Sequence, residues 1–389
     1  MTTRVRCGAL LDGTGTGPRP DREILIDGDT IRAVRGTTMA EHKADGDIDI
    51  DLSGHFVMPG FIDAHSHLSI IPSRGDQLGQ LRQPAGQQAL RVAANIRKDL
   101  KAGTTTLRVM GKEDWLDVYA RDAIREGILD GPDLIIATRG LAATNGHGRA
   151  KVGFDGVDEV RKGARQNLEH GADFLKVFAT GGVSSGTGLG SAMYSSHELR
   201  VVVEEAERKG TYVAAHAHGG PGLVLSAEAG VRTIEHAALA SEAEIDVLLR
   251  HACWVIATLG ILFHPDGIAK GDAAKPDIIA NLEAARDRVV TSARLLFQSG
   301  LRIALGTDSM HGSMAYEIQT AIKFGVDPLQ ALQAATRYGA EALRVADRTG
   351  TIEAGKAADI IALDGDPLVD PSALERVVFV MKGGRRYDG

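Results

Sequence analysis

Two histidines separated by one residue close a short apolar run from Met58 to Leu68, which reads Met-Pro-Gly-Phe-Ile-Asp-Ala-His-Ser-His-Leu. The run predicts a strand entered through a Pro-Gly turn. Residues two apart in a strand point to the same side, so His65 and His67 aim two imidazoles at one point. Zinc is often bound by such imidazoles. Because His-x-His pairs also occur for structural reasons, a metal site requires further ligands elsewhere in the chain.

Other side chains that bind metals or carry charge lie in or directly after further apolar runs: Lys176, His216, His236 and Asp308. In parallel barrels, side chains at the carboxyl ends of the strands line the active site. If each run is such a strand, these side chains converge with His65 and His67. The pattern therefore predicts a metal centre.

Lys176 is the unusual member of this set. A protonated ammonium is a poor metal ligand and is costly to bury. One interpretation is a buried amine that pairs with Asp308 or binds phosphate. The other is an amine carbamylated by carbon dioxide, which becomes a carboxylate able to bridge two metals. The residue pattern leaves both open.

The elements that must position these side chains alternate between short apolar runs and longer helical patterns. Helices are expected at 84–102, 158–170 and 196–209, the last begun by a capping pattern at Ser195 and Glu198. The expected buried strands are 61–67, 104–109, 133–137, 174–178, 212–216, 233–236, 254–258 and 302–306. Eight strands alternating with helices predict an α/β fold, a distorted (β/α)8 TIM barrel.

Both ends of the chain have β patterns instead. Residues 23–34 predict a hairpin with an Asp-Gly turn, and 5–11, 48–52 and 55–58 supply further strands. Strands are expected again at 350–352, 359–363 and 377–381. Neither end can bury its apolar face alone, which predicts one small β-sandwich built from both termini. The expected domains are 1–58 and 349–389, forming the sandwich, and 59–348, forming the barrel.

Composition limits the classes of function. The 389 residues are 43% hydrophobic and carry a net charge of -7, which gives no electrostatic case for nucleic acid or an anionic membrane as partner. The two cysteines indicate no disulfide framework, and no signal peptide or apolar membrane span is evident. A cytoplasmic enzyme with a small-molecule substrate is expected. Cys253 lies at the start of an expected strand, away from the site, which disfavours a cysteine nucleophile.

The motifs Asp63-Ala64-His65-Ser66-His67, Thr233-Ile234-Glu235-His236 and Gly306-Thr307-Asp308-Ser309, together with Lys176 and His216, resemble the signature of the amidohydrolase superfamily. The segments 176–185 and 215–219 are similar to its imidazolonepropionase-like and prolidase-like branch, which includes Xaa-Pro dipeptidases and ochratoxin hydrolases. The resemblance extends over essentially the whole chain.

This resemblance implies a site for two divalent metal ions, most often zinc. His65 and His67 would hold the more buried ion with Asp308, and His216 and His236 would hold the second. Carboxylated Lys176 and a hydroxide would bridge the two ions. The resemblance also suggests a homo-oligomer.

The expected reaction is cleavage of the amide or peptide bond of a dipeptide or N-acyl amino acid by the bridging hydroxide. Asp308 would take the proton of the hydroxide and deliver it to the leaving amine. The alternative is hydrolysis of an imidazolone-like cyclic amide, a urea, a carbamate or a xenobiotic amide at the same site. A non-catalytic binding barrel and a mononuclear deaminase are disfavoured, by the complete ligand set and by Lys176 respectively.

Several polar residues are secondary candidates. His147 in a glycine-flanked loop is expected to face the substrate, and His218 to contact the oxyanion or support the ligands. Tyr194 either binds a substrate carboxylate or carbonyl, or packs against the rim, and Arg139 is a weaker carboxylate-binding candidate. Two loop histidines, His264 and His311, are expected to be solvated. The remaining expectations are a flexible active-site loop at 180–188, a lid or substrate loop at 264–281, and structural or exposed histidines at His42, His55, His170, His197 and His251.

Overall fold

The computed structural model describes residues 2–37, 46–183 and 188–387. His42 and residues 184–187 of the glycine-rich loop lie outside these ranges. The strands are β1 Thr2–Leu10, β2 Arg19–Asp27, β3 Thr30–Gly36, β4 Ile48–Pro59, β5 Phe61–Ser66, β6 Thr104–Val109, β7 Asp133–Ile136, β8 Leu175–Phe178, β9 Val213–Ala217, β10 Thr233–His236, β11 Trp254–Ala257, β12 Arg302–Leu305, β13 Ile360–Leu363, β14 Val377–Lys382 and β15 Arg385–Tyr387.

The helices are α1 Gln77–Gln80, α2 Ala85–Lys101, α3 Leu116–Arg125, α4 Gly156–Glu169, α5 Ser196–Arg208, α6 Gly220–Ala229, α7 Glu242–Arg250, α8 Gly260–Phe263, α9 Ile268–Gly271, α10 Pro276–Gln298, α11 Met314–Lys323, α12 Pro328–Ala334 and α13 Arg337–Ala342. Short 3-10 turns occupy Pro72–Arg74, Glu113–Trp115 and Pro371–Glu375. Among the helices of the described ranges, none combines the length and apolar composition that a membrane span needs.

Strands β5 to β12 are the eight strands expected from the apolar runs, and each begins and ends within one residue of its expected bounds. They pair in parallel as two sheets, β5-β6-β7 and β8 to β12 in chain order. Backbone bonds bridge the gaps between the sheets: Leu141 N donates to Lys176 O at 2.8 Å, and Asp308 N donates to His65 O at 2.8 Å. The carboxyl ends of all eight strands therefore share one side of the α/β region.

The two termini meet in one seven-stranded sheet with the order β15-β14-β13-β4-β1-β2-β3. Strand β4 joins them, since it pairs with β1 in parallel and with β13 in antiparallel fashion. The expected hairpin is confirmed as β2 and β3. The expected strand at 350–352 is wrong: Ile352 is buried, but it lies in an irregular segment where its N–H donates to Asp12 O. The two-layered sandwich stays a prediction.

The three expected helices are confirmed as α2, α4 and α5. A full capping box starts α5, in which Ser195 Oγ accepts from Glu198 N and the Glu198 carboxylate accepts from Ser195 N. Residues 264–281 contain α9 and the start of α10, and their role as a lid or substrate loop stays a prediction. Asp272 anchors this segment by accepting from Asp76 N at 3.1 Å.

Candidate metal centre

The end of β5 brings His65 and His67 to Asp308, which follows β12. His65 Nε2 lies 3.3 Å and His67 Nε2 lies 3.5 Å from Asp308 Oδ1. The ligand atoms of the three residues all lie within 4.8 Å of one another. Gly306 allows this approach, because a Cβ there would stand 2.6 Å from His65 N. These three side chains are therefore arranged as a metal-binding group.

His216 and His236 complete a cluster of imidazoles. The His236 ring lies 4.7 Å from that of His65 and 4.6 Å from that of His216, between centroids. His236 Nδ1 contacts Thr258 Oγ1 at 2.6 Å, and His216 Nε2 donates to Gly181 O at 3.1 Å. Each ring thus keeps its other nitrogen for a ligand, and burial lowers the pKa of both imidazoles well below the usual value, which favours the neutral form that binds metals.

Lys176 on β8 is fully buried, and its Nζ has no hydrogen-bond partner among the described residues. The centroid of the Phe178 ring lies 5.0 Å from Lys176 Nζ. Burial lowers the pKa of Lys176 to about 7, although the nearby carboxylates of Glu235 and Asp308 act in the opposite direction. No described carboxylate pairs with it directly, so the alternative of a simple Lys176–Asp308 ion pair is not found.

A buried network behind the cluster holds His65. His65 Nδ1 donates to Glu235 Oε2 at 2.7 Å, and Arg108 Nη2 lies 2.8 Å from both oxygens of that carboxylate. Thr233 Oγ1 adds a third donor at 2.5 Å. All four side chains are buried, and the Arg108 charge holds the pKa of Glu235 down to about 2 against the effect of burial. The sequence analysis did not identify Arg108 as a residue that supports the site. The signal that could have identified it is a charged residue inside an expected buried strand.

Asp63 positions the other side of the centre. Its carboxylate accepts from Thr307 N at 3.0 Å, from Thr307 Oγ1 at 2.6 Å and from His65 N at 3.1 Å. These bonds tie the turn that carries Asp308 to β5. Burial raises the pKa of Asp63 to about 6.

The cavity over the cluster contains both secondary histidine candidates. His147 and His218 line it, with ring centroids 4.5 Å and 4.8 Å from that of His216. Burial lowers the pKa of His147 to about 3 and that of His218 to about 4, so both rings are neutral. The rest of the wall is largely apolar and includes Phe178, Leu81, Val183, Ile261, Leu262 and Ile268.

The structure does not bring Tyr194 or Arg139 to this cavity. The Tyr194 hydroxyl is buried and donates to Phe154 O at 3.0 Å, which is the packing alternative. Arg139 stacks over the Trp115 ring at 4.4 Å and donates to Gln166 at 2.9 Å. The Tyr194 hydroxyl and one amino group of Arg139 are thus already hydrogen-bonded, and neither side chain lines the cavity; substrate contact by these two residues stays a prediction.

The two loop histidines and Cys253 differ in how far they are exposed to solvent. His311 is not solvated as expected: it is buried and lies 2.8 Å from Asp99 Oδ2. His264 is partly exposed and packs against Tyr316. Cys253 is buried, and burial raises the pKa of its thiol to about 11, which agrees with the exclusion of a cysteine nucleophile.

Comparisons with known proteins agree with this arrangement. The family model described as the amidohydrolase family matches residues 56–387. Ochratoxinase from Aspergillus niger is 30% identical over 378 residues, which cover 86% of this chain and 76% of the relative. Imidazolonepropionase from Rhodococcus jostii is 23% identical over 401 residues, which cover 94% of this chain and 90% of the relative.

Among solved structures, a Xaa-Pro dipeptidase with bound methionine in its active site superposes with a TM-score of 0.91 at 29% identity, and the match covers 100% of both chains. Such neighbours have the TIM-barrel-type fold of metal-dependent amidohydrolases. By its family match and its relatives, the chain belongs to the amidohydrolase family, in the branch of ochratoxinase, imidazolonepropionase and the Xaa-Pro dipeptidases, and is a hydrolase of carbon–nitrogen bonds.

Proposed function

We propose that the chain is a metal-dependent amidohydrolase that cleaves the amide bond of a dipeptide or an N-acyl amino acid. The observation that carries this proposal is the convergence of four histidines, Asp308 and the unpartnered amine of Lys176 at one end of the eight strands. The relatives named ochratoxinase and Xaa-Pro dipeptidase support it. Methionine in the active site of the latter is a free amino acid, as a product of dipeptide cleavage would be.

We propose that the site holds two divalent metal ions and that both are zinc; the group of His65, His67 and Asp308 supports the first of them. His65, His67 and Asp308 would hold one ion, and His216 and His236 the other. A buried ammonium without an acceptor is unfavourable, whereas a carboxylated Lys176 would supply an anionic ligand between the ions. When bound, such ions polarise a carbonyl group and lower the pKa of bound water.

Asp308 is the proton carrier of the proposed reaction. Burial opposes its ionisation, but hydrogen bonding to His65 and the electrostatic effect of its neighbours hold the pKa of Asp308 below its usual range. The group is therefore ionised, and we propose that in this form it accepts a proton from the attacking water and returns it to the leaving nitrogen. The return is needed because an amide anion is a very poor leaving group.

The neutral imidazoles of His218 and His147 complete the proposed site. An N–H of His218 would donate to the oxyanion that develops on the substrate carbonyl, and His147 would contact the substrate. Both act as donors without changing protonation, since their pKa values lie well below neutrality.

A second candidate function is hydrolysis of a cyclic amide, a urea, a carbamate or a xenobiotic amide. The apolar wall formed by Phe178, Ile261 and Leu262 favours it, because such a wall suits a substrate with little charge. The relative named imidazolonepropionase represents a cyclic substrate within the same branch.

We also propose that β5 to β12 close into one barrel spanning residues 59–348. The backbone bonds from Leu141 to Lys176 and from Asp308 to His65 support closure at the two gaps. Residues 1–58 and 349–389 would form the second, sandwich-like domain around the shared seven-stranded sheet.

The test is elemental analysis of the purified protein together with a substrate panel. We expect about two metal ions per chain and hydrolysis of dipeptides or N-acyl amino acids in preference to aryl ureas and carbamates. Lys176→Ala should lose metal and activity, and short carboxylic acids should restore part of both, whereas the exposed control Lys209→Ala should change neither. One ion or none, with an indifferent Lys176→Ala, would refute the bridged site.

A further inference from the structure

A second small cavity adjoins the metal cavity. Four residues line both of them: His67, Leu81, Gly148 and Phe178. The second cavity also contains a cation, Lys112, three residues beyond the end of β6. The walls of the metal cavity, by contrast, contain no lysine or arginine among the described residues.

Lys112 is buried, with 2% of its surface exposed. Its Nζ donates to Gln88 Oε1, a neutral acceptor, and no described carboxylate lies within ion-pair distance of it. An ammonium has three N–H donors, so this single bond leaves hydrogen-bonding capacity unused. A buried cation without an anion is unfavourable, and a bound anion would relieve that cost.

The position of Lys112 is fixed by its neighbours. Gln88 Nε2 donates to Leu81 O at 3.1 Å and to Gln83 O at 2.6 Å, so the amide oxygen of Gln88 is turned toward Lys112. The backbone of Lys112 donates to Thr138 O at 2.5 Å. The ammonium is therefore held in place before any ligand binds.

The charged groups around Lys112 do not neutralise it directly. Asp117 on α3 accepts from Thr138 N and Val118 N, and burial raises the pKa of Asp117 itself to about 7. Asp114 pairs with Lys151 at 2.6 Å.

Glu113, the next residue, is buried and lines the same small cavity, and burial raises the pKa of its carboxyl group. Burial lowers the pKa of Lys112 to about 8, while the three carboxylates act against this effect. Lys112 thus remains largely protonated at neutral pH.

We propose that Lys112 forms a carboxylate-binding subsite beside the metal centre and receives the free carboxylate of the amino-acid part of the substrate. The inference rests on the proposed function, since it assigns one end of that same substrate. The amide would lie over the metal ligands, and the carboxylate would lie in the adjoining cavity, away from Asp308. A substrate without this carboxylate leaves the buried ammonium unpaired.

The test compares substrates that differ only in charge: N-acetyl-L-leucine with its C-terminal amide, and L-leucyl-L-proline with its amide. A charge-assisted hydrogen bond contributes about 1.5–3 kcal/mol, so Lys112→Met should lower kcat/KM for the carboxylates by about 10- to 100-fold. The value for the amides should change little. Lys112→Arg should keep most of the preference, and Lys151→Met, which removes a partly exposed lysine nearby, should leave it intact.

Binding separates this inference from the proposed function. Calorimetry with the metal-loaded protein should show tighter binding of N-acetyl-L-leucine than of its amide, and Lys112→Gln should remove the difference with unchanged metal content and melting temperature. A wild-type protein that hydrolyses neither pair but shows this binding difference refutes the proposed function and retains the subsite. Equal binding of acid and amide by the wild type, or a preference that survives in Lys112→Met and Lys112→Gln, overturns the subsite.

Discussion

Replacing Glu235 by glutamine should weaken both the fold and the metal centre. The Glu235 carboxylate accepts from Arg108, Thr233 and His65, all of them buried. Glutamine has nearly the same volume, but it leaves the Arg108 charge buried without an anion. Breaking such a pair costs about 3–5 kcal/mol. With an unfolding entropy of about 2.1 cal/mol/K per residue, or about 0.8 kcal/mol/K for 389 residues, the melting temperature should fall by about 4–6 °C.

Metal affinity should fall for a separate reason. The Glu235 carboxylate fixes the ring of His65 through Nδ1, and losing such a partner typically costs about 10- to 100-fold in metal affinity. Stability is measured on metal-free protein by thermal unfolding, and affinity by competition with a chromophoric chelator. Glu228→Gln, at an exposed position on α6, is the matched control and should change neither quantity.

The double variant Arg108→Met with Glu235→Leu distinguishes the two effects. Replacing both members of a buried pair by apolar side chains is often neutral for stability, so most of the lost melting temperature should return. The metal affinity should stay low, because His65 Nδ1 still lacks its acceptor. A Glu235→Gln protein with unchanged melting temperature and chelator competition would refute this reasoning, as would a double variant that recovers the affinity.

Three further predictions follow from single contacts. Tyr194→Phe should destabilise the protein by about 1–2 kcal/mol, since Phe154 O loses its donor, but should leave kcat/KM within about twofold; a large loss of activity would return Tyr194 to the substrate site. His218→Asn should lower kcat by about 10²–10³ with unchanged metal content, whereas loss of metal would identify His218 as a ligand. The third prediction concerns the ratio of kcat/KM for N-acetyl-L-leucine to kcat/KM for its amide. This ratio should be constant below pH 7 and fall above about pH 8. The reason is that Lys112 loses its charge as the pH rises through its pKa of about 8. The fall should be absent in Lys112→Arg, and a ratio that is constant in the wild type up to about pH 10 contradicts the charge assignment.

Three polar side chains have hydrogen-bond partners that are distant in sequence. Tyr194 bonds to Phe154, Arg139 bonds to Gln166, and His311, which was expected to be solvated, is buried beside Asp99. A sequence gives no sign that such a polar group is already hydrogen-bonded. The expected strand at 350–352 was wrong for a related reason, since Ile352 is buried in an irregular segment rather than in a strand.

The sequence alone determined the eight parallel strands and the candidate ligand residues in them or directly after them. Strands buried on both faces are continuous apolar runs, so local composition is enough to find them, as with β6 and β10. Because each candidate ligand lies in or directly after one of these parallel strands, the sequence also implied that the candidates share one site.

The tertiary structure decided everything that depends on contacts across the fold. Arg108 reaches Glu235 across 127 positions of sequence, and Thr307 reaches Asp63 across 244. In the sequence, Lys112 is one lysine among many after an expected strand. In the structure it is buried beside Gln88, next to the metal cavity. Burial sets the cost of a charge, and burial is a property of the packed chain rather than of any segment, which is why only the fold distinguishes a solvated lysine from one held for a ligand.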